Sequence, residues 1–340
     1  MVGRVTLSDV ARAAGVSLAT ASRAVNGSTT RVVRADLREQ VLAAAAALGY
    51  TPDANAQAMA HGRTTSLGLV VHDIADPYYA SIAAAVTLAA DARGLLVSLA
   101  DTRCDPAREI EIVDLLDRQR VVAVLLAGAR LGDADQDRAL AATLDGYLRH
   151  GGRVALVGQP LNDLPVVRID NAAGATALAR RLVELGYRRF GLAAGPPNHR
   201  TSHERMTAIR LELARLSLPV PDDLVVHDEL TRAGGRAAAA RLLGRPTRPD
   251  VIMAATDLMA VGVLSGAREA GFRVPRDLAV SGYDDIEAAT DVTPTLTTVR
   301  LPLAQIGEMA TALALESDPG ASSGPIVGEV VVRDSTPQRG

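Results

Sequence analysis

The sequence predicts two unlike parts: a small all-α helix-turn-helix head, and an α/β body of two lobes with doubly wound parallel sheets. Three observations predict this. Two short helical patterns meet at Gly15, strands alternate with helices from Ser66 onward, and that alternation runs through two successive sets. A chain of 340 residues, 48% of them hydrophobic, has room for two or three domains with sizeable cores. No apolar run reaches the length of a membrane span and no basic-then-apolar signal opens the chain, so the expected location is the cytoplasm, with no membrane partner. Cys104 is the single cysteine, in keeping with a reducing compartment.

In the head, Leu7, Val10, Ala11 and Ala14 recur at i, i+3, i+4 and i+7, one apolar face of a first helix. Gly15 tolerates a left-handed turn, and Ser17 can cap a second helix that turns Ala21, Ala24 and Val25 inward. The outer side carries Thr20, Ser22, Arg23 and Asn26, short hydrogen-bonding groups and one guanidinium. Such a pair is either a helix-turn-helix suited to a major groove or a helical hairpin with a solvated face. A third helix is expected over 35–48, with Leu37, Val41, Leu42, Ala45 and Leu48 as its buried stripe. Up to Arg63, seven Arg against four acidic residues give +3, leaving −6 for the remainder of a chain whose net charge is −3. A basic head on an acidic body suits contact with phosphate. Residues 54–60 are too few to hold a helix alone and read as a hinge that orders with a partner.

The body's first set is strand 67–71, helix 78–93, strand 95–99, helix 106–118, strand 121–126, helix 135–150 and strand 153–157. The second begins with strand 166–169 and helix 171–185. It continues through strand 190–194, helix 200–216, strand 224–226, helix 231–243, strand 251–254, helix 257–270 and strand 278–281. A tail of strand 296–299, helix 303–315 and strand 327–332 can cross back between lobes, with 317–325 reading as disordered. Two sets imply two lobes and a cleft, and parallel sheets bind ligands beyond the carboxyl ends of their strands.

At this point a family is visible. The run from Val5 to Asn26 resembles the DNA-binding head of the lactose/galactose repressor (LacI/GalR) family of bacterial transcription regulators. Matches in family order continue through 48–55, 73–79, 169–171, 255–262, 280–285 and 293–299. The resemblance implies a head over 1–50, a hinge helix or linker over 51–63, and a periplasmic-binding-protein-like core. Its first lobe would span 64–163 and 292–326, and its second 164–291 and 327–340. The implied partners are double-stranded operator DNA, a second copy of the chain in a homodimer, and a small effector, with a sugar expected.

Position by position, the resemblance puts Leu18 and Ala19 where base-choosing residues stand, and both are apolar, which favours thymine methyls. Arg23 can reach a guanine edge, Thr6, Thr20, Ser22 and Asn26 would hold phosphates, and Ser17 counts among the DNA-binding residues. Asn55 and Met59 fall in the hinge, with Met59 in the place of the family's wedging Leu. Arg34 stands where the family has a Ser or Thr cap. In the core, Asp73, Tyr78 and Tyr79 follow the first strand, and Arg205 and Asp284 align with the family's effector-gripping pair. Gln159 and Thr256 complete the expected effector site, and Asp76 replaces a common Asn. Asp257 is expected to cap the helix after it, as are Asp170 and Asn171.

The same residues bear on rival functions. His199 and His203 have a spacing a metal could use, but no third ligand is near, so two solvated or cleft-edge histidines are expected and no metal or cofactor. No catalytic constellation appears, so an α/β enzyme rests on texture alone, and the chain is expected not to be an enzyme. A two-lobed sugar-binding protein would lack the head.

Overall fold

The computed structural model describes residues 5–26, 33–51, 63–315 and 324–339. The chain divides into two compact units, Met1–Thr65 and Ser66–Gly340.

In the first unit, α1 (Leu7–Ala13) opens on a reciprocal cap: the Asp9 amide donates to Thr6 Oγ1, and the Thr6 amide donates to Asp9 Oδ2 at 3.0 Å. Gly15, at φ 61°, turns the chain into α2 (Leu18–Asn26), whose Ser17 Oγ accepts from the Thr20 amide at 3.1 Å. Against these two pack α3 (Ala35–Ala47) and the Gln40 amide, which donates to the Ala14 carbonyl. The core is small and Ala-rich: Val10, Ala11, Ala14, Ala21, Ala24, Val41 and Ala45. Leu42 and Leu48 lie outside it, 43% and 38% exposed, contrary to the stripe expected from the sequence. A residue next to Val41 is turned about 100° around the helix, so Val41 and Ala45, with Ala44 at their edge, face the core while Leu42 does not. Arg34 precedes α3 without a side-chain cap, and its guanidinium pairs instead with Asp36 at 2.7 Å.

The second unit opens with β1 (Ser66–Val71), α4 (Pro77–Asp91), β2 (Leu96–Asp101), α5 (Pro106–Arg118), β3 (Ala123–Ala127), α6 (Ala134–Arg149), β4 (Val154–Gly158) and β5 (Val166–Arg168). These strands form one parallel sheet in the order β2-β1-β3-β4-β5. Leu67, Leu69 and Val71 face α4, while Val70 faces α5 and α6, the alternation a sheet covered on both sides requires. Gly68 gives the Leu116 side chain room on that second face, since a Cβ there would meet its tip at 2.6 Å.

After α7 (Asn171–Glu184) come β6 (Phe190–Ala194), α8 (Arg200–Arg215), a 3₁₀ turn (Asp222–Leu224), β7 (Val225–His227), α9 (Arg232–Leu243), β8 (Val251–Ala254), α10 (Asp257–Glu269) and β9 (Ala279–Ser281). The second sheet is parallel, in the order β7-β6-β8-β9. The remainder is α11 (Ala288–Asp291), β10 (Thr298–Arg300), α12 (Leu303–Leu315) and β11 (Glu329–Val331), with β10 and β11 paired antiparallel. The α12 helix returns to the first lobe, where Ile306, Ala310 and Ala314 share a core with Ile82 and Val86.

Two boundaries differ from the sequence reading. The strand at 166–168 pairs with β4, Val157 opposite Val167, and so belongs to the first sheet rather than the second lobe. Its periodicity matches either sheet, and only hydrogen bonding decides between them. The chain crosses beyond it, where the Asp170 amide donates to the Ile326 carbonyl at 2.8 Å. Residues 297–300 run beside β9, the Gly282 amide donating to the Thr297 carbonyl and the Asp284 amide to the Val299 carbonyl, so they lie with the second lobe rather than in the first-lobe span expected from 292. The second crossing therefore follows β10, where Asp285 pairs with Arg300 and Arg333, each at 2.6 Å. Asp257 also departs from expectation: Thr256 caps α10, leaving Asp257 fully buried to accept from Thr298 Oγ1 and the Ile286 amide.

Candidate functional site

A cavity of about 330 Å³ opens between the two lobes, and its wall comes from the carboxyl ends of strands of both sheets. Asp73, Asp76, Tyr78 and Tyr79 follow β1; Gly128 and Ala129 follow β3; Asn198 and His199 follow β6; Glu229, Thr256 and Asp284 follow β7, β8 and β9. This is the position open parallel sheets reserve for ligands.

Arg205 organises the second-lobe wall. It is 2% exposed, donates from Nε to Asn171 Oδ1 at 3.0 Å and from its terminal nitrogens to the Ala255 carbonyl and Asp284 Oδ1, each at 2.8 Å. Its guanidinium also lies 3.7 Å over the ring of Tyr283. Three of five N–H donors are thereby used, and two remain for a guest. Asp284 sits at φ 111°, a left-handed backbone that turns its carboxyl to the cavity wall. Burial pushes that carboxyl up to about 7 even though Arg205 opposes the shift, with the negative charge of Asp76 adding to it.

The first-lobe wall is aromatic and acidic. The rings of Tyr78 and Tyr79 meet edge to face at 5.0 Å, and both line the cavity while packing against the core behind it. Asp76 caps α4 by accepting from the Tyr78 amide at 3.0 Å, and burial raises its carboxyl, with Asp73 contributing.

Of the expected effector residues, the cavity therefore gathers Asp73, Tyr78, Tyr79, Arg205, Thr256 and Asp284. Gln159 lies beside the wall instead, where it joins the lobes: its Oε1 accepts from the Arg130 amide, and its Nε2 donates to Thr201 Oγ1 at 2.9 Å and to Glu204. The same seam holds Arg200, whose amide donates to the Arg130 carbonyl and whose side chain pairs with Asp137 at 3.0 Å. Arg130 is itself fixed by a buried two-pronged pair with Glu109.

Sequence reasoning missed Asn171 as a wall residue, while His199 lies at the cleft, one of the two settings expected for it. Asp170 caps α7 as expected, but Asn171 is buried, orienting Arg205 and donating to Glu204 at 2.9 Å. His199 is 8% exposed rather than solvated, and its Nδ1 accepts from the Ser202 amide; His203 is exposed. Burial, with the charges of His72 and Arg205, holds His199 down at about 4, so it is neutral near pH 7. The polar residue at a helix start was legible in each case, but its direction was not. Among the described residues no group of three or more metal-binding side chains gathers, and none of the helices is long and apolar enough to cross a membrane.

In the head, Leu18 is 53% exposed and Thr6, Ser17 and Ala19 are exposed as well. Thr20, Ser22, Arg23 and Asn26 are partly exposed on α2, with Asn26 donating to Ser22 Oγ at 3.3 Å. The expected DNA-contacting face is thus at the surface of its unit. Asn55 and Met59 lie outside the described residues.

Comparison with known proteins places both units. Residues 6–53 match the family described as bacterial regulatory proteins, lacI family, and residues 179–336 match the periplasmic binding protein-like domain. The regulator GalS of Salmonella typhimurium is 32% identical over 93% of this chain and 91% of its own length. The regulator CelR of Thermobifida fusca is 34% identical over 95% of this chain and 94% of its own. Among solved structures, a lac repressor dimer bound to operator and the anti-inducer ONPF superposes with a TM-score of 0.86 at 26% identity, covering 98% of this chain and all of that one. A CelR–cellobiose complex gives 0.69 at 33% identity over 98% of this chain and all of the other.

Proposed function

Because this chain belongs to the lacI family of bacterial regulatory proteins, it is a DNA-binding regulator of transcription, and we propose that it is a repressor whose operator affinity is set by a small polyhydroxylated effector in the interlobe cavity. The observation that carries the effector reading is the buried Arg205, Asn171 and Asp284 cluster in a cavity wall that also presents Tyr78 and Tyr79. A guanidinium and a carboxylate side by side hold neighbouring hydroxyls, and aromatic rings cover a sugar's apolar face.

The DNA-reading set is Thr6, Ser17, Leu18, Ala19, Thr20, Ser22, Arg23 and Asn26, with Asn55 and Met59 carried over from the hinge of the family. A dimer places two heads on a near-palindromic operator. Support for the dimer comes from apolar side chains with no cover in one chain: Leu96 on the edge strand β2 is 73% exposed, and Leu88 on α4 is 70% exposed. Effector binding acts by favouring one arrangement of the lobes, which requires different affinity in the two states. The protein has the cytoplasm as its place of action.

A gel-shift of the fragment upstream of its own gene, at fixed moderate salt, tests the reading. The expected result is a retarded band that a sugar removes or strengthens. Failure to retard any genomic fragment would overturn it, since phosphate contacts alone give measurable binding at low salt.

A further inference from the structure

The cavity wall says more about the effector than that it carries hydroxyls. Four carboxylates line it, Asp73, Asp76, Glu229 and Asp284, against one guanidinium, Arg205. His199 adds no charge near neutrality. Nor is Arg205 spare, because it is bonded to Asp284 within the wall at 2.8 Å. Arg205 is committed to that bond, and Asp76 makes no ion pair among the described residues. One of its oxygens accepts from the Tyr78 amide; the other makes no hydrogen bond among the described residues. A carboxylate taken out of water costs free energy until an opposite charge or a set of donors reaches it. The rings of Tyr78 and Tyr79 line the same wall, and aromatic rings attract a cation.

We infer that the effector is an amine-bearing polyol, of the amino-sugar class, whose ammonium sits on Asp76 against Tyr78 and Tyr79 while its hydroxyls meet Arg205 and Asp284. The inference rests on the cavity being the effector site. The same wall repels phosphorylated and acid sugars, since an added anion would meet three uncompensated carboxylates for each free pair of Arg205 donors.

Calorimetry on the full chain with matched ring sets tests this, each set offering hydroxyl, amine, acetamide and 6-phosphate forms of one sugar, with glucose, galactose and cellobiose as the parents. The expected result is at least one amine bound about tenfold tighter than its hydroxyl twin, the acetamide near the twin, and the phosphate weakest. Asp76→Asn then removes the amine preference and keeps binding of the twin; Asn still caps α4, so the fold is spared. Glu229→Gln, at an exposed position, changes the preference far less. Hydroxyl twins that bind as well as the amines, or an amine preference that survives Asp76→Asn, overturn the inference while leaving the cavity as an effector site. Silence from every amine overturns it too. The effector reading itself falls only if no small molecule, in a wider screen, alters the operator gel-shift.

Discussion

The head and the cavity solve recognition in opposite ways. The head keeps its recognition side chains in solvent: Leu18 is 53% exposed, and the core beneath holds two valines among alanines. The cavity buries its polar groups, with Arg205 and Asp284 at 2% and 3% exposure, and fixes them to one another. Exposed groups on a small scaffold can be exchanged with little effect on folding. A buried ion pair cannot, because removing either partner strands the other. The two regions should therefore separate when mutated: cavity changes strike stability and binding together, and head changes strike binding alone.

The largest effect is expected at Arg205. Arg205→Ala leaves Asp284 buried without its cation and frees the Asn171 carbonyl and the Ala255 carbonyl. Loss of one partner of a buried pair costs about 3–5 kcal/mol. Thermal unfolding should show the body transition lowered and the head transition unmoved, and the effector response should vanish. An unchanged body transition would mean that the cluster is a binding device only.

Next comes a pH test. Burial, with the charge of Arg130, holds His72 down at about 4, and its Nδ1 has no hydrogen-bond partner. A histidine with a depressed folded value contributes stability above its unfolded value near 6.5 and loses it as pH falls toward 4. Asp284 works in the other direction: with its folded value raised to about 7, it contributes stability at low pH that is lost as pH rises through 7. A His72→Asn variant keeps the Asp284 contribution, so the difference between the two proteins isolates the histidine. Between pH 6.5 and 4 the parent should lose more stability than the variant, by on the order of 3 kcal/mol. Equal losses in urea melts across that window would place the His72 titration near its ordinary value.

The contrast also explains what could be read in the sequence. The helix pair of the head is local: its cap at Thr6 and Asp9, its turn at Gly15 and its inward Ala11, Ala14, Ala21 and Ala24 all fall within twenty residues, so periodicity and capping rules reach them. The alternation of the body was equally legible, and with it the carboxyl-end location of the cavity. The wall was not legible from pattern. Arg205 meets partners 34, 50 and 79 positions away, and those distances close only in three dimensions. Family resemblance pointed to Arg205 and Asp284 but not to Asn171, which resembled a second helix cap beside Asp170. Likewise the strand at 166–168 has a buried pattern that either lobe could accept, and its hydrogen bonds to β4 assign it.

Within the head the expected effects are smaller and confined to DNA. Arg23 is partly exposed and makes no ion pair among the described residues, so Arg23→Ala should leave the head's unfolding where it is. If it reads a guanine edge, operator affinity falls by about 1–3 kcal/mol and discrimination relaxes at one base pair. If it holds a phosphate instead, affinity falls evenly across sequences and the salt dependence weakens by about one charge. A gel-shift over single-base operator variants at two salt concentrations distinguishes these.

The finest test of the comparison is Leu18. It opens α2, is more than half exposed, and is not part of the head's core among the described residues. An apolar residue held in water at the start of a recognition helix gains only when it meets an apolar surface, and in a major groove that surface is the thymine methyl. Leu18→Gln should therefore alter stability by less than about 0.5 kcal/mol, as surface changes do. Its effect should fall on base preference, with the preferred thymine giving way to adenine, whose edge a glutamine can bond on two sides. A stability loss well above that bound, with base preference intact, would make Leu18 part of the scaffold and erase the distinction between the two regions at its clearest point.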